Sequence, residues 1–179
     1  MERLMVVDET KQLAKTSVSD GIEVNITPSY SELLPKYKLE CFKDWKEYFN
    51  KTSLEKGIWY KTIQCEPPRI PWFVNTKLSR KFVIIAHRLR SGHIPLNGFR
   101  HLMGKSDSPN CAECGRVEDV HHLLVECVRT RAAREVLMNT FKINLIDVGF
   151  IQSTLSEPLS NAAVAVYKIV NKVLESTNR

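Results

Sequence analysis

Three cysteines and two histidines crowd into residues 111–127, which read CAECGRVEDVHHLLVEC. Two residues separate Cys111 from Cys114, seven separate Cys114 from His122, and four separate His122 from Cys127. Sulfur and imidazole donors at such compact spacing suit a tetrahedral zinc ion. The CxxC spacing lets a tight turn aim both sulfurs at one point, and Gly115 frees the backbone just after the second one for a left-handed conformation. The expected ligands are Cys111, Cys114, His122 and Cys127, with structural Zn2+ as the cofactor. On a regular helix, residues five apart point about 140° away from each other. His122 and Cys127 therefore face one ion only if His122 starts the helix or the turn distorts, and His121 stays open as the alternative ligand. Two plainer readings compete. Ordinary core cysteines would explain a lone CxxC but not the added histidine and third cysteine, and a redox CxxC lacks a surrounding βαβ pattern.

The elements around this cluster are predicted to be helical. Ser79 is placed to cap a helix that runs to about Ser91, with Gly92 ending it. Phe82, Ile85, Ala86 and Leu89 form its apolar stripe, with Arg80 and His87 opposite and Lys81 and Arg88 at the flanks. Pro95 opens a short helix to about Met103, carrying Arg100 and His101, and Gly104 ends it. A further helix is expected from about Asp119 to Phe141, kinked after Cys127, with Ala133, Val136 and Leu137 inward. His93 and His101 read as surface or satisfied histidines more readily than as further ligands.

RLRSGHIPLNGFRHLMG (Arg88 to Gly104), then SPNCAECG and HHLLVEC, resembles the C-terminal region of Jockey-type non-LTR retrotransposon polyproteins. In that family a helix ending in an RLRTGH-like motif precedes a CCHC zinc knuckle, downstream of the reverse transcriptase and ribonuclease H domains. The likeness covers about residues 76–137. It implies ligands at Cys111, Cys114, His122 and Cys127 and a basic signature at Arg88, Arg90, Gly92 and His93, with Ser91 where the family usually has threonine. VDETKQLAK (Val7 to Lys15) faintly resembles the closing helix of the ribonuclease H domain, with Asp8 as its metal-binding aspartate, although three extra residues separate Asp8 from Leu13-Ala14-Lys15. One carboxylate cannot hold the two metal ions of that phosphodiester chemistry. The resemblance implies a fragment, or a domesticated remnant, beginning where the nuclease ends, and no catalytic residue is assigned.

Composition fits this picture. The chain has 179 residues, 43% apolar and 26% charged, enough for one domain with a real core, or for a core plus a small satellite. No apolar run is long enough to span a membrane, and five cysteines with a CxxC cluster point to a reducing compartment, nucleus or cytoplasm. Residues 76–134 hold 11 Lys and Arg against 5 Asp and Glu, which accounts for the whole net charge of +6, and all 5 histidines lie there too. Such a footprint favours a polyanion, while a modest excess also serves solubility alone.

Elsewhere the sequence is less specific. A poorly periodic helix is predicted over residues 2–17 and a short strand at Ile22, Val24 and Ile26. A helix follows from Ser29 to Asn50, with Leu34, Cys41, Phe42, Trp45, Tyr48 and Phe49 on one face and Pro35 in its first turn or at a break. Cys41 reads as a buried small hydrophobe, Trp59 to Gln64 as a strand, and Trp72 and Phe73 as core residues, with base stacking the alternative for aromatics near Lys61 and Arg69. Asn144 to Thr154 is expected to form a short helix, and Leu159 to about Ser176 a last one with Leu159, Ala163, Val166, Val170 and Val173 in a stripe that serves the core or a partner.

These readings divide the chain into a ribonuclease H remnant (1–20), a helical and linker region (21–75), basic helices with the zinc knuckle (76–141) and a C-terminal helical region (142–179). The fold class is mainly α, with a CCHC zinc knuckle and one or two short strands. The expected function is non-catalytic binding of RNA or DNA backbone through Arg80, Lys81, Arg88, Arg90, Arg100, Lys105, Arg116, Arg129 and Arg131. The reverse transcriptase and ribonuclease H portion of the parent polyprotein is a second expected partner, and no membrane is. A zinc-stapled protein–protein adaptor is the alternative; a free-standing nuclease or polymerase lacks the carboxylates.

Overall fold

The computed structural model describes residues 2–21 and 27–177. The chain is mainly helical: α1 (Glu2–Asp20), α2 (Tyr30–Thr52), α3 (Ile58–Ile63), α4 (Arg80–Ser91), α5 (Asn97–Leu102), α6 (Arg131–Phe141), α7 (Val148–Ser156) and α8 (Asn161–Thr177). A π-helical turn (His122–Glu126) and a 3-10 turn (Val128–Thr130) precede α6. Contacts divide the chain into two units, Met1–Cys41 and Phe42–Arg179, and the division falls inside α2. No helix among the described residues is long and apolar enough to cross a membrane.

In the first unit, α1 lacks an apolar stripe, and its residues from 9 to 20 are all exposed. Hydroxyls of Thr16, Ser17 and Ser19 bond back to carbonyls three or four residues earlier. Asp8 lies on α1 with its side chain outside the described set, and the strand expected at Ile22, Val24 and Ile26 lies outside the described residues. The backbone N–H of Ser29 donates to Glu32 Oε2 at 2.8 Å, one half of a capping box that starts α2. The helix runs through Pro35 without a break, because the only bond lost is to the carbonyl of Ser31 in an exposed first turn. Cys41, expected in the core, is exposed. No residue of α2 is buried.

The core of the second unit lies among α3, α4, α6, α7 and α8. Ile85, Ala86 and Leu89 of α4 meet Ala163, Val166, Tyr167 and Val170 of α8, so the C-terminal stripe is core except for Leu159, which precedes α8 and is exposed. Leu89 is fully buried; truncating such a leucine to alanine costs about 2–5 kcal/mol. The α4 boundaries follow the sequence. Ser79 holds the N-cap position in extended backbone, although its side chain makes no capping hydrogen bond, and Gly92 ends the helix in a left-handed conformation (φ 75°), its N–H donating to the Leu89 carbonyl. Trp59 lies against Gly92, where an added Cβ would come within 3.3 Å of the indole, and its Nε1 donates to the Leu89 carbonyl at 2.8 Å. The expected strand from Trp59 to Gln64 is therefore helix α3, which presents Trp59 and Ile63 to the core one turn apart. Six residues are too few for their own periodicity to separate the two structures.

Asp147 caps α7 through Oδ1, which accepts from the N–H of Phe150 at 2.7 Å. The Tyr167 hydroxyl donates to the Pro158 carbonyl at 3.0 Å, and burial pushes that phenol up to about 12. Trp72 is half-buried against the core, whereas Phe73 is 41% exposed and both rings flank His87. Val136, expected inward, is 65% exposed; of the three residues expected to pack on α6, only Leu137 is buried. The intervening turns break the long helix expected from residue 119, so α6 starts afresh at Arg131 with its own phase.

Candidate metal centre

Two local devices bring the four donors together. The first is a narrow hairpin over residues 109–118. The Cys111 N–H donates to the Arg116 carbonyl at 2.7 Å, the Glu118 N–H to the Pro109 carbonyl at 2.9 Å, and Asn110 bridges Val117 in antiparallel fashion. Inside it, the Gly115 N–H returns to the Cys111 carbonyl at 2.9 Å with Gly115 at φ 67°, the left-handed turn that the glycine permits. This is the only β-bridge among the described residues.

The second device is the π turn. The Cys127 N–H donates to the His122 carbonyl at 2.7 Å, an i to i+5 bond that widens the turn by one residue. It removes the 140° offset that a regular helix would impose, so His122 and Cys127 share one face. Asp119 Oδ1 accepts from the His122 N–H at 2.7 Å and fixes the start of the turn. His122 is 3% exposed, whereas His121 lies half-exposed, which decides between the two histidines.

One donor atom from each of Cys111, Cys114, His122 and Cys127 lies within 4.8 Å of all the others. Cys127 Sγ is 3.9 Å from Cys111 Sγ and 3.9 Å from Cys114 Sγ. Sulfurs on a tetrahedral zinc ion with bonds of about 2.3 Å sit about 3.8 Å apart, whereas a disulfide needs about 2.05 Å. The three thiols are free. His122 Nδ1 faces Glu126 Oε2 at 3.4 Å, and its other nitrogen, Nε2, is buried with no partner. A buried nitrogen left so costs about 1–3 kcal/mol. With Nδ1 held by a carboxylate, Nε2 carries the free lone pair that a metal accepts. A Cys3His set with these separations fits zinc.

The electrostatics fit as well. Burial raises the Cys111 thiol, but the His122 imidazole beside it, hydrogen bonds from the backbone at Cys114 and Glu113, and the neighbouring Cys127 thiol outweigh it and bring the group down to about 6. Burial pushes Cys127 up to about 11, and the Cys111 and Cys114 sulfurs beside it add to the rise. Adjacent sulfurs thus share a single negative charge, and a divalent cation removes that conflict by ionising all its thiols. Arg116, which donates to Glu126 Oε2 at 3.0 Å, and then His122 hold the Glu126 carboxyl below its ordinary range.

Side chains that the sequence did not single out lock the surroundings. Glu118, 3% exposed, pairs with Arg129 and accepts from the Asn97 N–H at 2.9 Å, tying the hairpin to the start of α5. The backbone there leaves no room for a side chain: a Cβ on Gly98 would lie 2.9 Å from the Glu118 carbonyl oxygen. Thr130 Oγ1 donates to the Leu123 carbonyl at 2.6 Å, and Arg134 Nη1 to the Cys127 carbonyl at 2.7 Å. Glu126, four residues after His122, was the one support with a visible spacing; Glu118 carried no such signal.

The nine basic residues expected to grip a polyanion separate into two groups. Arg90 is not a surface cation at all. It is 2% exposed, its Nη1 donates to the Leu155 carbonyl and its Nη2 to Gln64 Oε1 at 2.7 Å, so it fastens α4 to α3 and α7. Arg129 is held by the buried Glu118, Arg116 by Glu126, Arg131 by Glu135 at 3.3 Å and Lys81 by Glu175 at 2.5 Å. Arg80, Arg88, Arg100 and Lys105 form no ion pair with the described residues. His93 stacks on Phe99 at 5.0 Å and His101 Nδ1 contacts the Ser106 carbonyl at 2.8 Å; neither joins the cluster.

No family model, no curated protein and no solved structure matches the chain.

Proposed function

We propose that this chain is a zinc-stapled, non-catalytic module that binds the backbone of RNA or DNA, and that it derives from the region after ribonuclease H of a Jockey-type non-LTR retrotransposon polyprotein. The observation that carries the zinc is the convergence, within 4.8 Å, of three free sulfurs and the buried His122 imidazole, whose Nε2 has no hydrogen-bond partner. Four protein donors fill a tetrahedron and leave no position for water, so the ion holds structure and performs no Lewis-acid step. What it holds is the junction of the hairpin with the helical core.

The nucleic-acid reading is supported by the charge excess in residues 76–134 and by the unpaired cations Arg80, Arg88, Arg100 and Lys105. Surface pairs such as Arg131 with Glu135 are worth little and open readily, so they add to the field without anchoring it. The adaptor reading relied on a C-terminal apolar stripe free for a partner, and Ala163, Val166, Val170 and Val173 of that stripe pack in or against the core, which favours the nucleic-acid reading.

Binding of single-stranded RNA and of duplex DNA, titrated with salt, tests the function. Each phosphate contact adds about −0.7 (single strand) or −0.9 (duplex) to the slope of log K against log salt, so four free cations predict a slope of about −3 to −4. Affinity independent of salt, or no binding at low salt, rejects the reading.

A further inference from the structure

On α2, Trp45 and Tyr48 stand one turn apart and are 49% and 67% exposed. With Phe49 and with Tyr60 of α3 they line a cleft of about 150 Å³, completed by Lys56 and Gly57. Lys43, Lys46 and Lys51 line a second depression on the same helix, alongside Glu47. Lys46 is paired with Glu66 at 2.8 Å, which leaves Lys43, Lys51 and Lys56 without ion pairs to the described residues.

Aromatic walls accept either a cation or a flat neutral ring, and the neighbouring charges choose between them. The Lys61 ammonium lies 4.7 Å from the centroid of Phe49, and the Arg90 guanidinium 5.7 Å from that of Tyr60. The electron-rich faces of both rings already serve cations, and Lys56 adds another positive charge, so a further cation is repelled. The volume is below the roughly 300–1,000 Å³ of drug-sized ligand sites, and a peptide helix, about 10–12 Å across, is too wide. A nucleobase satisfies every condition: it is flat, it stacks on aromatic rings, and it arrives attached to phosphates that the lysines complement.

We propose that the cleft between α2 and α3 takes an unpaired base of single-stranded nucleic acid, stacked on Tyr48 and Trp45. The proposal rests on the nucleic-acid reading above and deepens it, since paired bases cannot enter the cleft.

The test compares the full zinc-loaded chain binding an oligouridylate and an abasic oligomer of equal phosphate count. The base-containing strand should bind about 5- to 100-fold more tightly. Tyr48→Ala and Trp45→Leu should each remove most of that advantage, while Tyr48→Phe keeps it; both positions are exposed, so the fold tolerates the changes. Equal affinity for the two strands, or variants that bind like the parent while salt-dependent binding persists, overturns the cleft and leaves the backbone reading standing. Absence of binding to either oligomer at low salt overturns both.

Discussion

His122 and Cys127 are joined by a 2.7 Å backbone hydrogen bond that spans five residues, and this bond makes them neighbours on one face. Leu123 and Leu124, inside the turn, are buried in the core, so the packing that holds the turn open also orients the ligands. A metal held here would therefore be coupled to core packing at this turn, and the first three predictions depend on that coupling.

Replacing Cys111 or Cys127 by serine removes one of the two most buried donors. Bound zinc, measured by elemental analysis, should fall from one ion per chain to none. Thermal unfolding should reveal a loss of about 3 kcal/mol or more, since a structural site adds its binding energy to folding. Chelator treatment of the parent should reproduce that shift, and an unchanged melting curve in both experiments rejects a structural ion.

Glu126 would act on a bound metal through His122 Nδ1, and Arg116 steadies its carboxylate. Glu126→Gln keeps the shape but removes the charge that makes the imidazole a better donor. Competition with a chromophoric chelator should show affinity reduced about 10- to 100-fold with one ion still bound. Parent-like affinity would mean that the 3.4 Å contact plays no part in binding.

Without metal, the thiols impose a pH dependence of opposite signs. Cys111, ordinarily near 9, is down at about 6 in the fold, so between those values the unfolded chain holds a proton that the native one lacks, and stability rises with pH. Below about 6 the contribution is gone. Cys127 is up at about 11, so between 9 and 11 the native chain keeps the proton and stability falls. Denaturant titrations of the chelated protein should thus peak near pH 9, and zinc should flatten the profile. A flat profile without metal rejects the shared-charge picture of the sulfurs.

Two arginines of α4, two positions apart, should behave in opposite ways. Arg90→Ala strands Gln64 Oε1 and the Leu155 carbonyl and should cost about 2–4 kcal/mol in thermal unfolding, with the salt slope of nucleic-acid binding unchanged. Arg88→Ala, at an exposed site, should leave stability within about 0.5 kcal/mol and make the slope shallower by about one. A stability loss for Arg88→Ala comparable to that for Arg90→Ala would contradict these placements.

The sequence by itself determined the ligand types, their spacing and the limits of the helix that precedes them. Metal donors are rare residue types at short separations, and Gly92 acts on the backbone within a few residues. Tertiary structure decided what depends on acceptors far along the chain. Arg90 and Arg88 belong to one RLR motif, yet only Arg90 points where Gln64 and Leu155 supply oxygens. Trp59 to Gln64 has the composition of a strand, and the apolar ground beneath Trp59 and Ile63, provided partly by α4, winds it into a helix. The geometry of His122 and Cys127 lay between these cases. Their spacing allowed either a helix starting at His122 or a distorted turn, and the tertiary structure, with Leu123 and Leu124 buried, holds a π turn.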